Sequence, residues 1–203
     1  MNFREYFQTA WNTTLKYIAP LLVMTLAMIA VSFLSLGILA PVAMAGYMHS
    51  ILLMLREERE PNVKDIFSQM NLFFPLFGFG IIVFILVLIG ISLLVIPGIL
   101  IMIAISYCCL YMLPLMTDRS YKLLDAVKES YAMTTKGNMV DNLAVFIIFI
   151  GLLALGGTTF IGSLFTQPFA TIFLLSVYEE KTKTPDIIVD GSDNQIQEPD
   201  NNN

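Results

Sequence analysis

The stretch LFFPLFGFGIIVFILVLIGISLLVIPGILIMIAISYCCLYMLPLM, residues 72–116, contains no Lys, Arg, Asp or Glu. A helical membrane span needs about 20 predominantly apolar residues, so this stretch is too long for one span and suits two. Ile96-Pro97-Gly98 near its middle supplies the reversal. Pro-Gly is a strong turn marker, and Pro97 lacks an N–H, which fits a helix start better than a helix interior. Residues 18–55 and 143–177 are likewise free of charged side chains, and each reads as a pair of spans. The expected fold is an all-α integral membrane protein with six transmembrane helices arranged as three hairpins.

The eleven Lys and Arg residues, Arg4, Lys16, Arg56, Arg59, Lys64, Arg119, Lys122, Lys128, Lys136, Lys181 and Lys183, all fall outside these stretches. A three-hairpin topology places them on one side. Cytoplasmic loops carry the excess of Lys and Arg, so both termini are expected in the cytoplasm. Hydrophobic residues make up 57% of the chain and charged residues 13%, against about 25% charged in soluble domains. A six-helix domain over residues 1–180 and an acidic tail over 181–203 account for the sequence. The tail carries Asp186, Asp190, Asp193, Glu198 and Asp200 and has too few apolar residues to bury a core, which predicts disorder. The loops near the membrane mix both signs, which excludes nucleic acid as a partner. Ala43-Met44-Ala45-Gly46 has the form of a signal-peptidase site. The apolar run before it is longer than the roughly 7–15 residues of a signal peptide, so it reads as a span.

A short amphipathic segment precedes each hairpin. Phe3, Tyr6, Phe7, Ala10 and Trp11 share one face of the first, opposite Arg4, Glu5, Gln8 and Asn12. The second starts at Pro61-Asn62 and sets Val63, Ile66, Phe67 and Met70 against Lys64, Asp65 and Gln69. The third runs from about Ser120 to Lys136, with Leu124, Val127 and Tyr131 against Lys122, Asp125, Lys128 and Glu129. Such helices suit the membrane interface, with aromatics at headgroup level; packing on one another in the cytosol is the alternative. The unit of amphipathic helix, span, tight turn, span and charged loop thus occurs three times. The first turn falls at 37–41. The third falls at Gly156-Gly157 or at Gly162-Ser163. A turn at Gly156 leaves about 13 apolar residues for the fifth span, a rise of about 20 Å, so one arm of the third hairpin is expected to be short.

Residues able to carry chemistry are few. His49 is the only histidine and lies in the second span, where intramembrane ionisable groups are functional candidates. No carboxylate falls within a span, which disfavours an ion-coupled pump. One His with the adjacent Cys108 and Cys109 does not make the three- or four-ligand set of a zinc site. No catalytic set can be assembled, so no catalytic residue, cofactor or metal is expected. Thr166 and Gln167, next to Pro168, bring polarity into the third hairpin. They either bond neighbouring helices or line a small polar cavity together with His49.

The run Leu93-Leu94-Val95-Ile96-Pro97-Gly98-Ile99 resembles the "IPG" turn of a broad group of bacterial integral membrane proteins. Met112-Leu113-Pro114-Leu115 with Asp118-Arg119, Asp125-Ala126 and Glu129-Ser130 resembles the loop that follows in that group. The group includes uncharacterised six-span families and the membrane domain attached to some glycerophosphoryl diester phosphodiesterases. In this chain Asp125 stands where the group has Glu, and the phosphodiesterase domain is absent. The resemblance implies a six-span fold in the bacterial inner membrane and no established activity. The expectation is a non-enzymatic membrane protein that acts through lipids or partner proteins at the cytoplasmic face. Membrane lipids are the expected partners, and other membrane proteins the further class. The alternative is a transporter or channel for a small uncharged solute, which needs His49, Thr166 and Gln167 to face one cavity.

Overall fold

A computed structural model describes residues 2–93, 95–136 and 138–183. All regular structure among the described residues is helical. Helix α1 (Phe3–Lys16) and α2 (Ile18–Leu34) meet at Tyr17 with a bend of 90°. The chain then reverses through Leu36 and Gly37, both at positive φ, and enters α3 (Ala40–Glu57) with Pro41 in its first turn. This is the reversal expected at 37–41. Ala43, Ala45 and Gly46 are buried inside α3, so the cleavage-like motif serves as a packing surface of small residues.

The next segment departs from the expected amphipathic α-helix. It starts where expected, since the Asn62 side chain accepts the Lys64 N–H. It then forms two 3-10 turns, Val63–Phe67 and Met70–Leu72. The cause is tertiary. A Cβ added to Gly46 would run into the carbonyl oxygens of Asp65 and Ile66, so the loop backbone lies directly on α3. Ser50 Oγ donates to the Asp65 carboxylate at 2.7 Å. Ile66, expected at headgroup depth, is fully buried at 0% exposure.

Helices α4 (Phe73–Leu93) and α5 (Val95–Cys108) follow and pack on each other. Helix α5 begins at Val95, so Pro97 sits in its first turn and the expected turn triplet is already helical. Gly98 contributes close approach: a Cβ on Gly90 would come within 2.8 Å of Gly98 Cα. A short α6 (Met112–Asp118) continues from α5 and leads to α7 (Leu123–Thr135). Helix α8 (Met139–Gly157) and α9 (Phe160–Lys183) complete the chain. The turn between them falls at Thr158-Thr159, directly after Gly157, and not at Gly162, which lies within α9.

The short-arm expectation is corrected as well. Helix α8 begins ahead of residue 143 and has 19 residues, a rise of about 28 Å against a hydrocarbon core of about 30 Å. The extra turn takes in Asp141 and Asn142, and the Asn142 amide is satisfied by the Met133 and Thr134 carbonyls. The folded body also extends past residue 180, because α9 runs to Lys183 and Lys181 is buried. The rest of the acidic tail lies outside the described residues.

Among the described residues, four helical runs are long and apolar enough to cross a membrane: Val63–Ser92, Val95–Asp118, Met139–Gly157 and Ile161–Lys183. The bent pair α1 and α2 makes a fifth if counted as one span. Helix α3 falls outside this set because Tyr47, His49, Ser50, Arg56 and Glu57 dilute its apolar content. Most of α3 is covered by protein, and a helix that faces protein can hold polar groups that a lipid-facing one cannot. Helix α9 is the central post. Ile172, Phe173, Leu174, Leu175, Val177 and Tyr178 are all fully buried, which requires cover on every side, and α1, α2, α3 and α8 provide it.

Candidate functional site

The charged residues that close the apolar stretches gather at one end of this post. Arg56 ends α3, Asp118 ends α6, and Glu179 lies in the last turns of α9. The Arg56 guanidinium forks onto both Asp118 oxygens and donates through Nε to Glu179. Tyr178 OH donates to Asp118 Oδ2 at 2.9 Å, and Lys183 Nζ lies 3.0 Å from Glu179. A planar guanidinium matches a carboxylate bidentately, which fixes direction as well as distance. Three helix ends that are remote in sequence are locked together here.

Lys181 forms the second half of this polar end. It is 8% exposed. Its ammonium donates to Met133 O at 2.8 Å and to Asn142 Oδ1, and it stands 4.9 Å above the Tyr111 ring. Ser130 Oγ donates to Cys108 O at 2.7 Å and accepts the Tyr111 N–H at 3.0 Å. One buried cation thereby holds the ends of α7, α8 and α9 and the start of α6. Burying an ammonium is costly unless it is paired and hydrogen-bonded, and here two oxygens and a π face surround it. Cys108 and Cys109 are free thiols.

Helices α1 and α7 form the rim of this end. Helix α1 is tied near both ends: Tyr6 OH donates to Glu180 at 2.5 Å, and Lys16 pairs with Glu58 at 3.3 Å. Between these ties Phe7 and Trp11 turn outward, Trp11 with 59% of its surface exposed. Helix α7 packs on the body through Ala126, Ser130, Met133 and Thr134. Its apolar stripe points away, with Leu124 72% and Tyr131 53% exposed. Helix α7 thus leaves two large apolar side chains of its stripe, Leu124 and Tyr131, outside the body, while Val127 packs against the core.

The three residues singled out for a shared cavity turn to different neighbours. Thr166 Oγ1 donates to Gly162 O at 3.0 Å, and the Thr166 side chain fills the space beside Gly156 of α8. Gln167 Nε2 lies 3.5 Å from Met44 Sδ of α3. His49 Nδ1 is buried without a hydrogen-bond partner. Among the described residues no hydrogen bond joins His49 to Thr166 or Gln167. Arg56, Asp118, Glu179, Lys181 and Asn142 were not singled out in the sequence as site residues. Their signal is positional, since each stands within a few residues of the end of an apolar stretch.

No protein-family model, curated protein or solved structure matches this chain.

Proposed function

We propose that this chain is a non-enzymatic integral membrane protein of the bacterial inner membrane that acts through lipids or partner proteins at the cytoplasmic face. In this reading α2, α3, α4, α5 with α6, α8 and α9 are six spans in three hairpins, and both termini are cytoplasmic. Helices α2 and α3 have 17 and 18 residues, at the short end of the roughly 17–25 residues of known spans. The observation that carries the functional reading is the outward apolar face of α1 and α7 beside the polar end. Trp11, Leu124 and Tyr131 are exposed there, while the neighbouring charges are spent on one another across helices. Such a rim is suited to headgroup depth.

Topology is tested by single cysteines at Glu60 and Lys136 in a chain lacking Cys108 and Cys109. Both should resist an impermeant thiol reagent in intact cells and react after permeabilisation. Labelling of either from outside defeats the three-hairpin arrangement. Function is tested by native mass spectrometry of the protein released from mild detergent. Retained lipid or a co-purifying membrane protein is the expected result. A bare protein that supports a solute flux would favour the transporter reading, for which the unpaired His49 Nδ1 is the supporting observation.

A further inference from the structure

Helices α1 and α9 leave a surface cleft of about 490 Å³ between them, lined by Arg4, Phe7, Gln8, Trp11, Asn12 and Phe169. Its walls are aromatic. The ring of Phe169 lies 5.9 Å from Phe7 and 6.4 Å from Trp11. Its rim is polar and one-sided. Arg4, Gln8 and Asn12 follow each other at four-residue spacing, so they form one row along α1, about 12 Å from end to end. Phe7 and Trp11 form the adjacent row, towards Phe169. Arg4 makes no ion pair among the described residues, whereas Arg56 and Arg59 are both spent on carboxylates. The cleft is therefore an aromatic trough with an almost wholly apolar surface, bordered along one side by the Arg4 guanidinium and the Gln8 and Asn12 amides.

We infer that this cleft binds one anionic phospholipid, with its phosphate on Arg4, its glycerol ester region along Gln8 and Asn12, and an acyl chain over Phe7, Trp11 and Phe169. The inference rests on the membrane-interface reading of α1 proposed above. Each part of the cleft selects a part of the ligand. A guanidinium matches phosphate oxygens bidentately, and its uncompensated charge favours a headgroup that carries no cation of its own. The three rings offer nothing to a free phosphate ion but cover well an apolar chain. The bend of 90° at Tyr17 sets α1 across the direction of α2. Along α9, Tyr6 meets Glu180 whereas Trp11 meets Phe169, so the Arg4 end of the row lies nearest the polar end of the post.

Trp11 is the only tryptophan of the chain, so its fluorescence reports on the cleft alone. The full chain is placed in phosphatidylcholine nanodiscs with a minor fraction of acyl-brominated phosphatidylglycerol, or of brominated diacylglycerol, which has no phosphate. Brominated phosphatidylglycerol should quench Trp11 well beyond its share of the lipid, and brominated diacylglycerol should not. Arg4→Gln should reduce the excess roughly fivefold, the scale set by one basic side chain near an anionic lipid surface, and Arg4→Lys should restore part of it. Arg4 is exposed, so neither change should disturb folding, which circular dichroism verifies. Equal quenching by both brominated lipids would overturn the site and leave the interfacial placement of α1 standing. Absence of quenching by either would overturn both. Reversal by excess inorganic phosphate, but not by chloride of matched ionic strength, would assign the cleft to a free anion and overturn the lipid.

Discussion

The central post α9 and the peripheral helix pair α4–α5 are both long apolar helical elements, yet their chemistry differs in step with their surroundings. The most apolar 18-residue stretch within Val63–Ser92 has a mean hydropathy of 3.0 with 11% of its residues buried inside the protein, whereas that within Ile161–Lys183 has 1.4 with 50% buried. The runs Val95–Asp118 and Met139–Gly157 fall between, at 2.3 and 2.2 with 33% and 28% buried. Between the two extremes hydropathy falls as protein cover rises. The physical reason is that lipid satisfies no polar group, so a helix left to lipid must be apolar all round. A helix enclosed by others can carry Thr171, Tyr178, Glu179 and Lys181 because neighbouring groups bond them.

The sharpest way to break this comparison is to shorten an aromatic ring in each region. Phe173 of α9 is fully buried, with ring contacts to Tyr6 and Phe7. Phe173→Ala should cost about 3–5 kcal/mol, the range for a large aromatic truncated in a core. Phe84 of α4 is largely exposed, and Phe84→Ala should stay within about 0.5 kcal/mol as an exposed substitution does. Thermal unfolding in one detergent compares them, and equal losses would mean that α4 is packed as tightly as α9.

Polar enclosure is tested at Asn142. Asn142→Leu removes an oxygen from the Lys181 ammonium and leaves a buried cation short of a partner. A loss of about 3 kcal/mol is expected, as when one side of a buried charged pair is removed. The double variant Asn142→Leu with Lys181→Met should recover much of it, since an apolar replacement of the whole pair is often close to neutral. A double variant as unstable as the single one would mean that the amide matters for α7 alone.

Glycines draw the same contrast at smaller scale. Gly46→Ala puts a methyl group against the Asp65 and Ile66 carbonyls, which are backbone and cannot swing aside. It should cost about 1–3 kcal/mol and free the loop 62–72 to proteolysis. Gly80 of α4 has nothing within 4 Å of an added Cβ, so Gly80→Ala should be neutral or gain up to about 1 kcal/mol of helix propensity. Tolerance at Gly46 would show that the loop does not rest on α3.

The smallest effect belongs to Gln167. Its side-chain hydrogen bond to Met44 predicts a loss of about 0.6 kcal/mol for Gln167→Leu, typical of one intramembrane hydrogen bond. A variant of unchanged stability that loses a measurable solute flux would instead establish Gln167 in a transport path.

Much of the scaffold was legible before any coordinates. The reversal at 37–41, the start at Pro61-Asn62, the breaks flanking α7 and the Gly157 option follow from turn chemistry and from the edges of apolar runs. What could not be read was which side of each amphipathic segment the protein would claim. Ile66 and Trp11 carry the same signal of apolar residues at helical spacing. Tertiary contact with Gly46 buries the first, and the second stays at the surface. The polar end was hidden for a related reason: Arg56, Asp118 and Lys181 read as topology markers until the fold brings their helix ends together.

The sequence by itself determined that this chain is a set of apolar helices with its charges confined to the connections and the tail. Lipid imposes that pattern residue by residue, without reference to any partner. Only the tertiary structure decided which helix stands at the centre, which loop winds as 3-10 turns and which charges are spent on each other. These outcomes depend on pairs such as Gly46 with Ile66 and Lys181 with Asn142. Nothing local to either member of such a pair marks it for the other.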